Sequence, residues 1–231
     1  MLPLQLPSTP GAPLSVLVIG AHPDDIEIGA GGLLLELARL QPQVRYVLLT
    51  GTAGRQLEAR NAARSFLPGA DVTIDLFDLP DGRLPAVWGM AKDILEGVAR
   101  SCAPDLIIGP SSSDAHQDHR TIGELVPTVF RDQMHLAYEI PKWDGDMGRP
   151  TMYFPMTEDD GKRKVELLHK CFPSQRSHDW WDDEVFLGLA RLRGMECRAR
   201  YAEAFYCSKS VIVVAGSRAG ADQSSRQDRA V

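Results

Sequence analysis

Three of the chain's six histidines fall in two short segments dense in aspartate, His22-Pro23-Asp24-Asp25 and Asp114-Ala115-His116-Gln117-Asp118-His119. Imidazole nitrogen and carboxylate oxygen are the donors that suit Zn2+ or Fe2+. On a tight turn, a His and an Asp at this spacing can face one ion, and the proline between them keeps the turn stiff. A single aspartate at a helix start is explained by capping alone. Capping does not explain two aspartates side by side with a histidine upstream. The first segment runs on into Gly29-Ala30-Gly31-Gly32, which invites comparison with a dinucleotide fingerprint. That comparison fails on charge, because His22, Asp24 and Asp25 occupy the turn where a pyrophosphate needs small residues and backbone N–H groups.

The elements that must position these segments alternate along the chain. Segments 15–19, 44–49, 72–77, 105–109 and 136–139 read as strands, the first a continuous apolar run as expected of a strand covered on both faces. Between and after them, 28–40, 56–66, 87–99 and 119–131 read as helices, the first with Leu33, Leu34, Leu37 and Leu40 on one face. Alternation of this kind predicts an α/β fold, a doubly wound, Rossmann-like, mainly parallel sheet of order 3-2-1-4-5. Strands 1 and 4 are then neighbours, and both His/Asp segments open into the crevice at the switch point. Beyond residue 140 a C-terminal elaboration is expected, with helices at 159–171 and 183–193 and a strand within 203–214. Residues 1–13 read as a flexible leader, 14–214 as one domain, and the Ser-, Gly- and Arg-rich 215–231 as a disordered tail.

Composition removes several function classes. The chain has 231 residues, 44% hydrophobic and 24% charged, with 25 Lys and Arg against 31 Asp and Glu. That is an ordinary globular composition, and a net charge of −6 speaks against a nucleic-acid partner. No apolar run approaches the roughly 20 residues of a membrane span. Cys102, Cys171, Cys197 and Cys207 form no Cys-x-x-Cys pair and no disulfide framework, so a cytoplasmic location is expected. The chain is compatible with a homo-oligomer.

The pair His22-Pro-Asp-Asp25 and His116-x-Asp-His119, with Tyr201-Ala-Glu-Ala-Phe205 near the end, resembles the PIG-L/LmbE-like metal-dependent de-N-acetylases over about residues 14–210. The resemblance implies Zn2+, or Fe2+, held by His22, Asp25 and His119. It implies Asp24 as general base and His116 facing the substrate carbonyl. Three protein ligands leave the open position of a catalytic site. A protonated His116 is expected to stabilise the oxyanion, with Asp118 orienting it or keeping it cationic; the alternative for Asp118 is a helix cap. Asp114 stands where some thiol-sugar-processing relatives carry a tyrosine.

Arg55 and Asp81 match places where the family contacts its sugar, with a surface ion pair or a turn as their alternatives. Trp143, beside acids on a glycine turn, is a candidate to stack on a pyranose or else a packing residue. The segment 174–178 with Trp180 and Trp181 reads as packing, or as a lid or wall of the site. The expected reaction is hydrolysis of the N-acetyl amide of an amino sugar. The alternatives are another small amide such as a thiol-sugar conjugate, a non-catalytic sugar-binding module, or a flavodoxin-like nucleotide binder.

Overall fold

The computed structural model describes residues 3–6 and 12–212. The expected leader lies partly, and the expected tail wholly, outside the described residues. Five parallel strands, β1 (Ser15–Gly20), β2 (Gln43–Thr50), β3 (Asp71–Leu79), β4 (Leu106–Pro110) and β5 (Met134–Tyr138), alternate with helices. These helices are α1 (Asp25–Ala38), α2 (Ala53–Phe66), α3 (Trp88–Ala99) and α4 (Gln117–Val129). Beyond them come β6 (Met152–Met156), α5 (Glu158–Cys171), α6 (Asp183–Cys197) and β7 (Tyr201–Tyr206).

The sheet has seven strands in the order β3-β2-β1-β4-β5-β7-β6. It therefore differs from the expected 3-2-1-4-5: β7 pairs antiparallel with β5, and β6 antiparallel with β7, so the sheet is mixed. The β6 segment, Met152-Tyr-Phe-Pro-Met156, was not among the expected strands, and it carries Pro155. As the last strand of the sheet it needs hydrogen bonds on one side only, and edge strands tolerate proline. The strand expected to extend to 214 ends at Tyr206, and Val211 and Ile212 are exposed.

Both faces of β1 are buried. Val16 and Val18 pack with residues of α1, α2 and α5, whereas Leu17 and Ile19 pack with residues of α3 and α4. This accounts for the uninterrupted apolar run. Helix α1 begins three residues earlier than its leucine stripe predicts and is broken at Ala30 (φ −140°, ψ 15°). Groups from the C-terminal elaboration repair the break. The Glu203 carboxylate on β7 accepts from Gly32 N–H (2.6 Å) and Leu33 N–H (2.8 Å). Lys164 Nζ on α5 donates to the Ile28 carbonyl (2.7 Å) and to Glu203 Oε1 (2.8 Å). The glycines of α1 serve this packing: a Cβ on Gly29 would meet the Tyr138 ring at 2.5 Å, and one on Gly32 would collide with the Met156 sulfur.

Candidate active site

β1 and β4 lie side by side, Val16 opposite Leu106 and Val18 opposite Ile108, so the turns that follow them open together. The first turn carries His22, Asp24 and Asp25, and the second carries Asp114, His116, Asp118 and His119. Asp24 precedes α1 with φ 114° and ψ −25°, and its side chain caps nothing. A non-glycine residue held there stores strain of order 1–3 kcal/mol, a feature concentrated at functional sites. Asp25 does not cap the helix either. Its Oδ2 accepts from Ala21 N–H (2.9 Å) and His22 N–H (2.8 Å), tying the carboxylate back to the turn.

Three donors converge. His22 Nδ1 lies 3.1 Å from His119 Nε2. Asp25 Oδ1 is 3.2 Å from His119 Nε2, and Asp25 Oδ2 is 3.5 Å from His22 Nδ1. Ligands at about 2.0–2.2 Å from a tetrahedral ion stand roughly 3.3–3.6 Å apart, so these residues fit a divalent metal. One donor atom from each of His22, His116 and His119 also lies within 4.8 Å of the others.

The other nitrogen of each converging histidine meets carboxylate. His22 Nε2 is 3.2 Å from Asp118 Oδ2 and 3.1 Å from Asp81 Oδ1, and His119 Nδ1 is 3.0 Å from Asp114 Oδ2. Such partners fix the ring and tautomer of a metal-ligating histidine. Burial alone would lower the His119 imidazole, but Asp25 and Asp114 outweigh it and hold its pKa up at about 9. Burial would raise Asp25, yet His119 and His22 keep it well below the usual carboxylate range.

The Asp118 carboxylate makes no hydrogen bond to His116. Its Oδ2 accepts from Gly82 N–H (2.7 Å) as well as facing His22, and its Oδ1 accepts from Leu84 N–H (2.9 Å). It thereby hangs the loop after β3 on the floor of the site. Its contact with His116 runs through the backbone, the Asp118 N–H donating to His116 Nδ1 at 3.3 Å. With Nδ1 accepting, the neutral His116 ring carries its proton on Nε2. Burial, then the neighbouring His119 and His22 rings, lower the His116 pKa, against the cationic ring expected from sequence.

The buried Asp24 pairs with the half-buried Arg55, Nη2 to Oδ2 at 2.7 Å. Burial raises the Asp24 carboxyl to about 7 despite the opposing pull of Arg55. Among the described residues nothing donates to Asp24 Oδ1. Arg55 uses its terminal N–H groups within the protein: on Asp24, the Pro23 carbonyl, Glu58 (2.6 Å) and Ser174 Oγ (2.9 Å).

These side chains line a cleft of about 680 Å3. Asp81 stands at its mouth, 77% exposed in its side chain, and the Trp143 indole is 71% exposed. The segment after α5 divides: Trp181 is buried against Phe172 and Phe186, while His178 and Trp180 line the cleft. Sequence reasoning missed Lys142 and Asp146. Lys142 Nζ reaches Asp114 Oδ1 (2.9 Å) and Asp146 Oδ2 (3.1 Å), and Ala115 N–H donates to Asp146 Oδ2 (2.7 Å). It also missed Glu58, which accepts from the N–H (2.9 Å) and hydroxyl (2.7 Å) of Ser174. An acid five residues before His119 was the available signal for Asp114; Lys142 and Glu58 carried none.

The family described as PIG-L, GlcNAc-PI de-N-acetylase, matches residues 17–130. The "uncharacterized deacetylase YaiS" of Escherichia coli (strain K12) is 30% identical over 169 residues, 67% of this chain and 89% of that protein. This chain belongs to the PIG-L/LmbE-like de-N-acetylase family. The family is one of hydrolases acting on N-acetyl amides.

Two solved structures share its fold. The N,N'-diacetylchitobiose deacetylase of Pyrococcus horikoshii superposes with TM-score 0.66 at 23% identity, over 84% of this chain and 83% of that one. GalB, the 4-carboxy-2-hydroxymuconate hydratase of Pseudomonas putida KT2440, superposes with TM-score 0.67 at 17% identity, over 88% and 100%. One neighbour is a deacetylase and the other a hydratase, so likeness of fold leaves the reaction to be argued from the site. The family match covers both His/Asp turns and ends before Trp143 and the 174–180 wall. No helix among the described residues is long and apolar enough to cross a membrane.

Proposed function

We propose that this chain hydrolyses the N-acetyl amide of an amino sugar to acetate and a free amine, using a divalent metal for which zinc is the first candidate and Fe2+ the second. One observation carries the reading: the donors of His22, Asp25 and His119 stand 3.1–3.5 Å apart, beside a second carboxylate that belongs neither to them nor to a helix cap.

His22, Asp25 and His119 would hold the ion, with Asp118 and Asp114 orienting the two imidazoles. When bound, such an ion polarises the acetyl carbonyl and lowers the pKa of water in the site towards about 7. Asp24 is the general base, since its pKa near 7 matches the working range and its Oδ1 is free to take a proton. As water adds to the acetyl carbon, Asp24 Oδ1 receives its proton and His116 Nε2–H donates to the developing oxyanion. Collapse breaks the C–N bond, and the proton held by Asp24 passes to the departing nitrogen. Arg55 acts through Asp24, holding Oδ2 so that Oδ1 faces the substrate. Asp81 and Trp143 contact the sugar at the mouth.

The test is amine release by metal-loaded protein across free, nucleotide-linked and lipid-linked N-acetyl sugars, with elemental analysis of the same sample. Release of acetate and amine in equal amounts, with one divalent ion per chain, is the expected result. Metal-independent turnover, or none with any N-acetyl sugar, would overturn the reading.

A further inference from the structure

The mouth of the cleft differs in chemistry from its floor. Trp143 presents an exposed indole pinned in place, its Nε1–H donating to Asp179 Oδ1 at 3.2 Å. It meets Trp180 edge-on at 6.1 Å and His178 at 6.4 Å, and those two rings stack at 5.9 Å and 17°. A large aromatic face kept in water and held in one orientation is preorganised for a flat apolar partner, and the C–H face of a pyranose is one. The cleft's volume of about 680 Å3 gives room for more than one sugar ring.

The charge at the mouth has one sign. Asp78, Asp81 and Asp144 line the cleft. Its lysine and arginine side chains, Lys142 and Arg55, are committed, Lys142 to Asp114, Asp146 and, at 3.9 Å, Asp144, and Arg55 to Asp24 and Glu58. Two of the nearby helix starts are also closed to anions. Asp24 and Asp25 occupy that of α1, and His116 with Asp118 that of α4. The start of α2 makes no side-chain cap at Thr52, but a helix N-terminus is worth about half a positive charge against three carboxylates, of which Asp81 faces His22 and Asp144 stands 3.9 Å from Lys142. A divalent ion at the floor is offset there by Asp25 and by Asp118 behind His22. Phosphate recognition calls for forked arginines or free lysines, and among the described residues the mouth has none to give.

Resting on the deacetylase reading, we propose that the cleft takes an N-acetylamino sugar joined to an uncharged sugar, at least a disaccharide, whose second ring stacks on Trp143. It correspondingly discriminates against amino sugars that carry phosphate or nucleotide at that position. Trp143 and Asp144 lie beyond 17–130, in the part of the chain that the family match does not cover, whereas Asp78 and Asp81 lie within it.

The experiment pairs a binding readout with a turnover readout on metal-loaded full-length protein, using N,N'-diacetylchitobiose, N-acetylglucosamine and UDP-N-acetylglucosamine. In tryptophan-fluorescence titrations the disaccharide is expected to bind at least about tenfold more tightly than the nucleotide sugar at low salt, with a gap that narrows near 1 M salt as the Debye length falls to about 3 Å. Trp143→Ala is expected to cost the disaccharide about tenfold more in kcat/KM than it costs N-acetylglucosamine. The double variant Asp78→Lys/Asp144→Lys is expected to raise the affinity for UDP-N-acetylglucosamine. Nucleotide sugar bound as tightly as the disaccharide, neither sugar bound, or a Trp143→Ala penalty equal for mono- and disaccharide would each overturn the proposal. If the disaccharide binds with the expected preference and no substrate loses its acetyl group, the deacetylase reading fails while this assignment of the mouth stands.

Discussion

Two buried acids in this protein, each paired with a base, have similar partners and opposite character. Glu203, 5% exposed, has both carboxylate oxygens taken, by Lys164 and by the N–H groups of Gly32 and Leu33. Asp24, 6% exposed, has one oxygen on Arg55 and the other without a partner among the described residues, on a backbone at φ 114°. The first pair satisfies groups that a broken helix leaves behind. The second keeps a carboxylate at a pKa near 7 with an oxygen in reserve. Burial alone is therefore no mark of function; what separates the two is whether the carboxylate's lone pairs are all spoken for and whether its backbone is strained.

The comparison breaks or sharpens under substitution. The largest effect on activity is expected from the floor: His119→Ala should lose the bound ion and, with it, turnover. Full occupancy by elemental analysis would remove His119 from the ligand set. The largest effect on stability is expected from the other pair. Glu203→Ala leaves Lys164 buried without its partner, a cost of about 3–5 kcal/mol, or a drop in Tm of roughly 6–20 °C for a chain of this size. Calorimetry checks this, and an unchanged Tm would mean that the α1 break is held elsewhere.

Arg55→Met separates the pairs by pH. The base works only unprotonated, so activity falls as pH drops through the pKa of Asp24. Arg55 pulls that pKa down, so its loss should move the acidic limb of the pH–rate profile to higher pH by about one unit or more. A limb that stays in place would show that Arg55 does not act through Asp24. The smallest effect is expected at Asp146→Asn, which weakens the tie to Lys142 and Ala115 by about 1 kcal/mol. It should lower kcat/KM a few-fold in steady-state assays, and an unaltered value would uncouple the two loops.

Much of the floor was legible from the sequence because its residues are local. His22 through Asp25 occupy one turn and His116 through His119 another, and the alternation of strands and helices brought the turns to one edge. The carboxylate behind each imidazole was not legible, because a histidine's second partner depends on ring orientation. Asp118 was read as serving its neighbour His116, yet it serves His22, 96 positions away. The Glu203 pair spans 171 positions to Gly32, and nothing in Tyr201-Ala-Glu-Ala-Phe205 says which helix its acid will mend. β6 lies beyond residue 140, where the alternation of strands and helices fades and no longer marks the strands. The apolar 210–214 run read as sheet, yet Val211 and Ile212 are exposed beyond the end of β7.

The central claim is the division of labour between two adjacent aspartates, Asp25 for the metal and Asp24 for the proton. It is tested most directly by measuring metal content and amine release together on Asp24→Asn. The account predicts one divalent ion per chain, an undiminished Tm, and turnover reduced about 10²–10⁴-fold. Loss of the ion, or turnover close to that of the parent protein, would contradict it.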